Sequence, residues 1–62
     1  MSQWIEYAKK KGDQLYGLAI EHIRCREPDK AKELLTRAIG WYKKAGLEDK
    51  IQMVKDKLKE IS

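Results

Sequence analysis

His22 and Cys25 are the residues of this chain best suited to binding a metal or acting as a nucleophile, and they lie three positions apart. On a helix this spacing places both side chains on one face. A structural zinc ion takes four ligands, however, and the chain has one histidine and one cysteine. A Cys–His nucleophile also needs a third group that orients the base, and no such group is indicated. We therefore expect no metal, no cofactor and no catalytic nucleophile.

Paired carboxylates and glycine-rich loops are also weak candidates for chemistry in this sequence. Asp56 and Glu60 are accompanied by lysines, and Glu33 and Arg37 have the spacing of an ordinary surface ion pair on a helix. The glycines that precede Gly46 fall within helical periodicity, without the strand and loop that a phosphate-binding motif requires. The sequence therefore predicts that the protein is not an enzyme.

Basic residues exceed acidic ones, with 14 Lys and Arg against 10 Asp and Glu and a net charge of +4. Lysines accompanied by tryptophan and tyrosine are typical of proteins that bind nucleic acid through phosphates and stacked bases. Three consecutive lysines, at 9–11, point about 100° apart on a helix and form no single stripe. Nucleic-acid binding is therefore the alternative interpretation, and a solvated helical surface is the simpler one.

The length and composition predict one small domain that spans residues 1–62. The chain has 62 residues, of which 42% are hydrophobic and 39% charged, so its core is small. A single cysteine and the lack of an apolar leader favour a reducing, cytoplasmic setting. No window of the sequence approaches the ~18 apolar residues of a membrane span, so none is expected.

Apolar residues recur at intervals of three and four, which predicts three helices over 2–26, 28–45 and 48–61. Pro28 suits the first position of the second helix, and Gly46 is typical of the residue that ends it. Short turns make neighbouring helices antiparallel, so the expected fold is all-α, a three-helix antiparallel up-down-up array. The first helix is longer than the second, so its end bearing Trp4 is expected to overhang or to be covered by the third helix.

Apolar and aromatic residues form an unusually broad band on the second helix. One explanation is that the other two helices pack on two sides of it. The other is that part of the band accepts a partner, either an amphipathic helix or a second copy of the chain. The predicted partner-binding residues are Tyr16, Leu35, Ile39, Trp41 and Tyr42.

A set of residues in the first two helices resembles the tetratricopeptide (TPR) helical hairpin, and it covers about half of the chain. These residues are Leu15, Leu18, Ala19, His22, Pro28, Asp29, Ala31, Leu35, Ala38 and Ile39. The resemblance implies that Ala19, Ala31 and Ala38 let the helices approach closely. The sequence departs from the family pattern at His22, where an aromatic is usual, and at Arg26, where glycine is preferred. Lys43 stands in place of the closing proline.

With a third helix, the architecture is similar to that of the microtubule-interacting and trafficking (MIT) domain, which binds amphipathic helices. This similarity implies a non-enzymatic protein–protein interaction module, an adaptor whose apolar face docks a helix or self-associates as a dimer. The alternative is a small basic nucleic-acid-binding protein whose lysines contact phosphates.

Overall fold

The computed structural model describes residues 2–61, and these fold into three helices connected by short turns. Helix α1 spans Ser2–Arg24, α2 spans Pro28–Ala45 and α3 spans Glu48–Ile61, and no strand occurs within 2–61. The predicted fold class, an all-α antiparallel up-down-up array, is confirmed. The bounds of α2 and α3 agree with the prediction, whereas α1 ends at Arg24 instead of at 26.

The early end of α1 results from a hydrogen-bonded turn that closes the helix. The amide of Arg26 donates to the carbonyl of Ile23 over 3.0 Å, and the amide of Glu27 donates to that of His22 over 2.8 Å. This pair of bonds is the Schellman motif, which satisfies carbonyls that the helix end would otherwise leave unpaired. Arg26 takes the left-handed conformation that the motif requires, with φ of 60°.

Helix α2 ends in the same motif, built from residues that suit it better. Gly46 has φ of 71° and donates to the carbonyl of Lys43, while Leu47 donates to that of Tyr42. The side chain of Leu47 then packs against the core, as the motif usually arranges.

At the end of α1, a polar contact takes the place of the apolar contact that Leu47 makes at the end of α2. Glu27 occupies the place of Leu47, and its Oε1 lies 2.8 Å from Nδ1 of His22. This hydrogen bond, more than the positive charge of nearby Lys30, holds the pKa of the Glu27 carboxyl below its ordinary value.

Three alanines are part of the core, which lies along the middle helix. α2 contacts both α1 and α3. Completely buried alanines allow α1 and α2 to approach closely, since a methyl side chain takes up little space between two helices. Ala8 of α1 is also completely buried, and the main core cluster consists of Ala19, Ala31, Leu35, Ala38, Tyr42, Ile51 and Val54.

Tyr42 is the largest completely buried side chain, and it determines how α1 and α2 meet. Its ring lies against Gly12 so closely that a Cβ atom at Gly12 would be 2.6 Å from Cε1 of the ring. Its hydroxyl donates a hydrogen bond of 2.5 Å to Oδ1 of Asp13. Burial, and after it the bond to this carboxylate, raises the pKa of the Tyr42 hydroxyl, which therefore stays protonated as a donor.

We expect Gly12→Ala to destabilise the fold by about 1–2 kcal/mol, although alanine is the better helix former by ~1 kcal/mol. The reason is the collision of the new methyl group with the buried ring of Tyr42. Gly40→Ala is the matched control, since a Cβ there meets nothing within 4 Å. Urea denaturation of both variants should show opposite signs, and a stabilised Gly12 variant would contradict the packing described.

Arg26→Gly should stabilise the protein by up to about 1 kcal/mol. A left-handed conformation costs a residue with a side chain roughly 1–2 kcal/mol, and the greater entropy of glycine in the unfolded chain offsets part of the gain. Arg24→Gly, inside the last turn of α1, should instead destabilise the fold by ~1 kcal/mol. Equal losses from both substitutions, measured by the same denaturation, would show that residue 26 is not under backbone strain.

Candidate partner-binding surface

Helix α3 covers one side of the α1–α2 pair. Tyr16 of α1 lines a shallow groove together with Met53, Asp56 and other residues of α3. Residues two positions apart on a helix differ by about 200° in direction, so Leu18 lies on the opposite side of α1 from Tyr16. Leu18 is 52% exposed. The side of α1 that carries Leu18 is therefore left open by α3.

This open side continues along α1 and onto α2. Trp4, Tyr7, Lys11 and Leu18 are spaced by three, four and seven positions, which places them on one helical face. Trp4 is 51% exposed and Tyr7 48% exposed. Trp41 of α2 borders the same face through its contacts with Trp4 and Tyr7. We call these five residues the open face.

Three aromatic rings of the open face pack on one another and join the beginning of α1 to the end of α2. The ring centroids of Trp4 and Tyr7 lie 5.9 Å apart in a stacked arrangement, and Tyr7 meets Trp41 edge-on at 5.7 Å. Trp4 also lies 6.4 Å from Trp41. The expected overhang of Trp4, or its cover by α3, is thus replaced by contact with α2, because the Trp41 ring is large enough to reach it.

Lysine side chains border these rings. Nζ of Lys44 lies 4.6 Å from the centroid of the Trp41 ring, and Nζ of Lys11 lies 5.7 Å from that of Tyr7. Both distances allow a cation–π attraction. Lys10 lines a small depression together with Tyr7 and Lys11. Three lysines therefore lie at the aromatic end of the open face, namely Lys10, Lys11 and Lys44.

A groove of about 800 Å³ runs between α1 and α2 beside the rings. Leu15, Gly17 and Leu18 line it from α1, and Arg37 and Trp41 line it from α2. No residue of α3 contributes to its lining.

The five residues predicted to bind a partner separate into three environments. Leu35 and Tyr42 are completely buried in the core, so they offer no surface to a partner in this conformation. Tyr16 and Ile39 are partly buried and pack against the core, with Tyr16 in the groove next to α3. Trp41 alone of the five belongs to the open face. That any of them contacts a partner stays a prediction.

Sequence reasoning did not include Trp4, Tyr7 and Leu18 among the partner-binding residues. Their spacing with Lys11 is a signal that could have found them, since it continues one face over almost the whole of α1. The spacing alone does not reveal which side of the hairpin the third helix covers.

The side chains that the sequence offers for chemistry make ordinary contacts in the structure. Cys25 is exposed, and His22 pairs with Glu27 at the turn. Arg37 forms the expected surface pair with Glu33 at 3.2 Å. Within residues 2–61, no group of three or more His, Cys, Asp or Glu side chains is placed to hold a metal ion. No helix in this part of the chain is long and apolar enough to cross a membrane.

Comparison with protein-family models, curated proteins and solved structures finds no match to this chain. The function is therefore argued from the open face itself.

Proposed function

We propose that the protein is a non-enzymatic interaction module that docks an amphipathic helix of a partner protein on the open face. The observation that carries the proposal is the exposure of three large side chains, Trp4, Tyr7 and Leu18, on the side that α3 leaves uncovered. Contiguous exposed apolar surface with a polar rim is typical of protein-binding sites. Two antiparallel helices with an apolar groove between them suit the recognition mode in which a partner's amphipathic helix lies in that groove.

The likeness to the TPR hairpin and the MIT domain agrees with this function. The three alanines at the close-approach positions of that pattern, Ala19, Ala31 and Ala38, are completely buried. These domains use pairs of antiparallel helices as a frame for protein binding. Kinship with either family is part of the proposal, and the open face supports the binding role without it.

Leu18→Gln should weaken binding of a docked helix by about tenfold, as expected when an apolar contact of roughly 1.4 kcal/mol is lost. Ile5→Gln is the matched control, because Ile5 is also on α1, is 45% exposed, and lies outside the groove lining. Neither exposed side chain contributes much to the core, so both variants should keep the helical circular dichroism of the natural chain.

The probe is a displayed library of helices about 20 residues long, with apolar residues fixed at helical spacing and the outer positions randomised. Helices that are enriched on the natural chain should bind the Ile5 variant equally well and the Leu18 variant weakly. Failure to enrich any helix, or equal weakening by both substitutions, would overturn the proposal. Trp41→Ala, checked for folding in the same way, should remove the same binders.

Nucleic-acid binding is the second candidate, favoured by the lysines that border exposed aromatic rings. Lys11 and Lys44 could contact phosphates while bases stack on Tyr7 or Trp4. This alternative predicts binding of single-stranded DNA or RNA that falls steeply as salt is raised. A fluorescence titration with a homopolymer at low and physiological salt measures it, and no binding at low salt would exclude it.

A further inference from the structure

We infer that the open face selects an amphipathic helix whose apolar seam is flanked by acidic residues, and that the backbone of this helix comes closest to α1 at Gly17. This inference rests on the proposed function and specifies the occupant of the same site. The charge around the rings and the glycine inside the groove carry it independently of each other.

Charge around the aromatic end of the face favours an acidic partner. A helix that covers the rings removes the ammonium groups of Lys11 and Lys44 from part of their water. This desolvation is unfavourable unless the partner supplies negative charge nearby. Lys10, in the adjoining depression, adds to the same positive field. Carboxylates on both flanks of the partner's apolar seam would offset it.

The excess of positive charge is confined to the aromatic end of the open face, where Lys10, Lys11 and Lys44 lie. Asp13 and Glu21 are the acids that line the groove. Asp13 accepts the hydrogen bond of the Tyr42 hydroxyl, so its Oδ1 is directed towards Tyr42, and Glu21 lies fourteen positions beyond Tyr7 along α1. Arg37, at the other side of the groove, is paired with Glu33.

A second copy of the chain fits the face less well than an acidic helix. Each copy carries a net charge of +4 and brings its own lysines to the contact. Like charges brought together across an interface oppose association, and more so at low salt. The same reasoning disfavours a basic amphipathic helix.

Gly17 indicates where the partner comes closest. Glycine inside a helix is unfavourable by ~1 kcal/mol relative to alanine. At Gly12 a Cβ would collide with the ring of Tyr42, but a Cβ at Gly17 would meet nothing within 4 Å. Gly17 lines the groove. Its missing side chain leaves space at the surface, where small residues allow the backbone of another helix to approach.

Three synthetic peptides test the charge preference. They share one apolar seam, taken from a helix selected on the natural chain, and carry Glu, Gln or Lys at the flanking positions. At low salt we expect the Glu peptide to bind at least fivefold more tightly than the Gln peptide and the Lys peptide to bind most weakly. The preference should shrink as salt is raised to about 0.5 M, because screening weakens exposed ion pairs.

Replacement of both lysines, Lys11→Gln with Lys44→Gln, should remove most of this preference. Lys50→Gln with Lys55→Gln on α3 is the control, since it lowers the net charge equally and leaves the open face unchanged. Equal effects of the two pairs would assign the preference to the overall charge of the protein and overturn the acidic-partner inference.

Gly17→Ala should weaken binding of the Glu peptide by about tenfold while it raises the thermal midpoint by about 4–8 °C. Gly40→Ala should raise the midpoint similarly, and binding should be unchanged because Gly40 is not part of the groove lining. Loss of binding together with a gain in stability cannot come from unfolding. Unchanged binding by the Gly17 variant would overturn the close approach.

The outcomes separate the inference from the function on which it rests. Equal affinity for all three peptides, with binding still lost in the Leu18 variant, would keep the docking function and overturn the acidic partner. Absence of binding for every peptide would overturn both. A concentration-dependent dimer in sedimentation that is lost in the Leu18 variant would assign the face to a second copy. Salt-sensitive binding of single-stranded RNA, lost in the Lys11 and Lys44 double variant, would assign it to nucleic acid.

Discussion

The packing of Tyr42 against Gly12 is the constraint on which the rest of this small structure depends. The ring is completely buried, and its hydroxyl is held by Asp13 one position along α1. Ring and hydroxyl together set the distance between α1 and α2 and the register in which they pass. Because successive helical residues point about 100° apart, directing Tyr42 into the core turns Trp41 towards one edge of it. The open face thus arises from the same choice of register that builds the core.

The middle helix explains why one side of the hairpin stays open. α2 contacts both α1 and α3. Packing on these two neighbours explains part of the broad apolar band on α2, which is wider than contact with a single helix would require. α3 uses the side that includes Tyr16, and Trp41 remains on the other. The core cluster of this 62-residue chain contains three alanines among its seven residues, while Trp4 and Tyr7 remain half exposed. Aromatic side chains carry 150–250 Å² of buriable surface each, on the order of several kcal/mol that a partner could still use.

The helices could be predicted from the sequence because their signals are local. Pro28 and Gly46 act through their own backbone conformations, and the spacing of apolar residues does not depend on the fold. The predicted end of α1 lies two residues beyond the observed one because a Schellman turn with arginine at the left-handed position lacks the glycine that marks such turns. The pairing of His22 with Glu27 at this turn gives it a polar contact instead of the usual apolar one.

The candidate surface was harder to predict, because it depends on which side of a helix pair is covered. Periodicity separates apolar from polar faces, yet both Tyr42 and Trp41 belong to the same broad band of α2. Tyr42 belongs to the core and Trp41 to the open face because the ring of Tyr42 packs against Gly12, which is distant in sequence. Leu18 likewise has the residue type of a core position, and only the placement of α3 leaves it exposed.

The two glycines of α1 differ in the same way, because one contacts the core and the other lies at the surface. Gly12 and Gly17 both lie inside α1, although glycine is the least favourable residue in a helix interior apart from proline. The ring of Tyr42 occupies the space beside Gly12, so that glycine is explained by the fold. The space beside Gly17 is empty and opens into the groove. Gly40 of α2 has equally open space beside it, so it is the position of Gly17 in the groove lining that sets it apart and places it where a docked helix would approach α1.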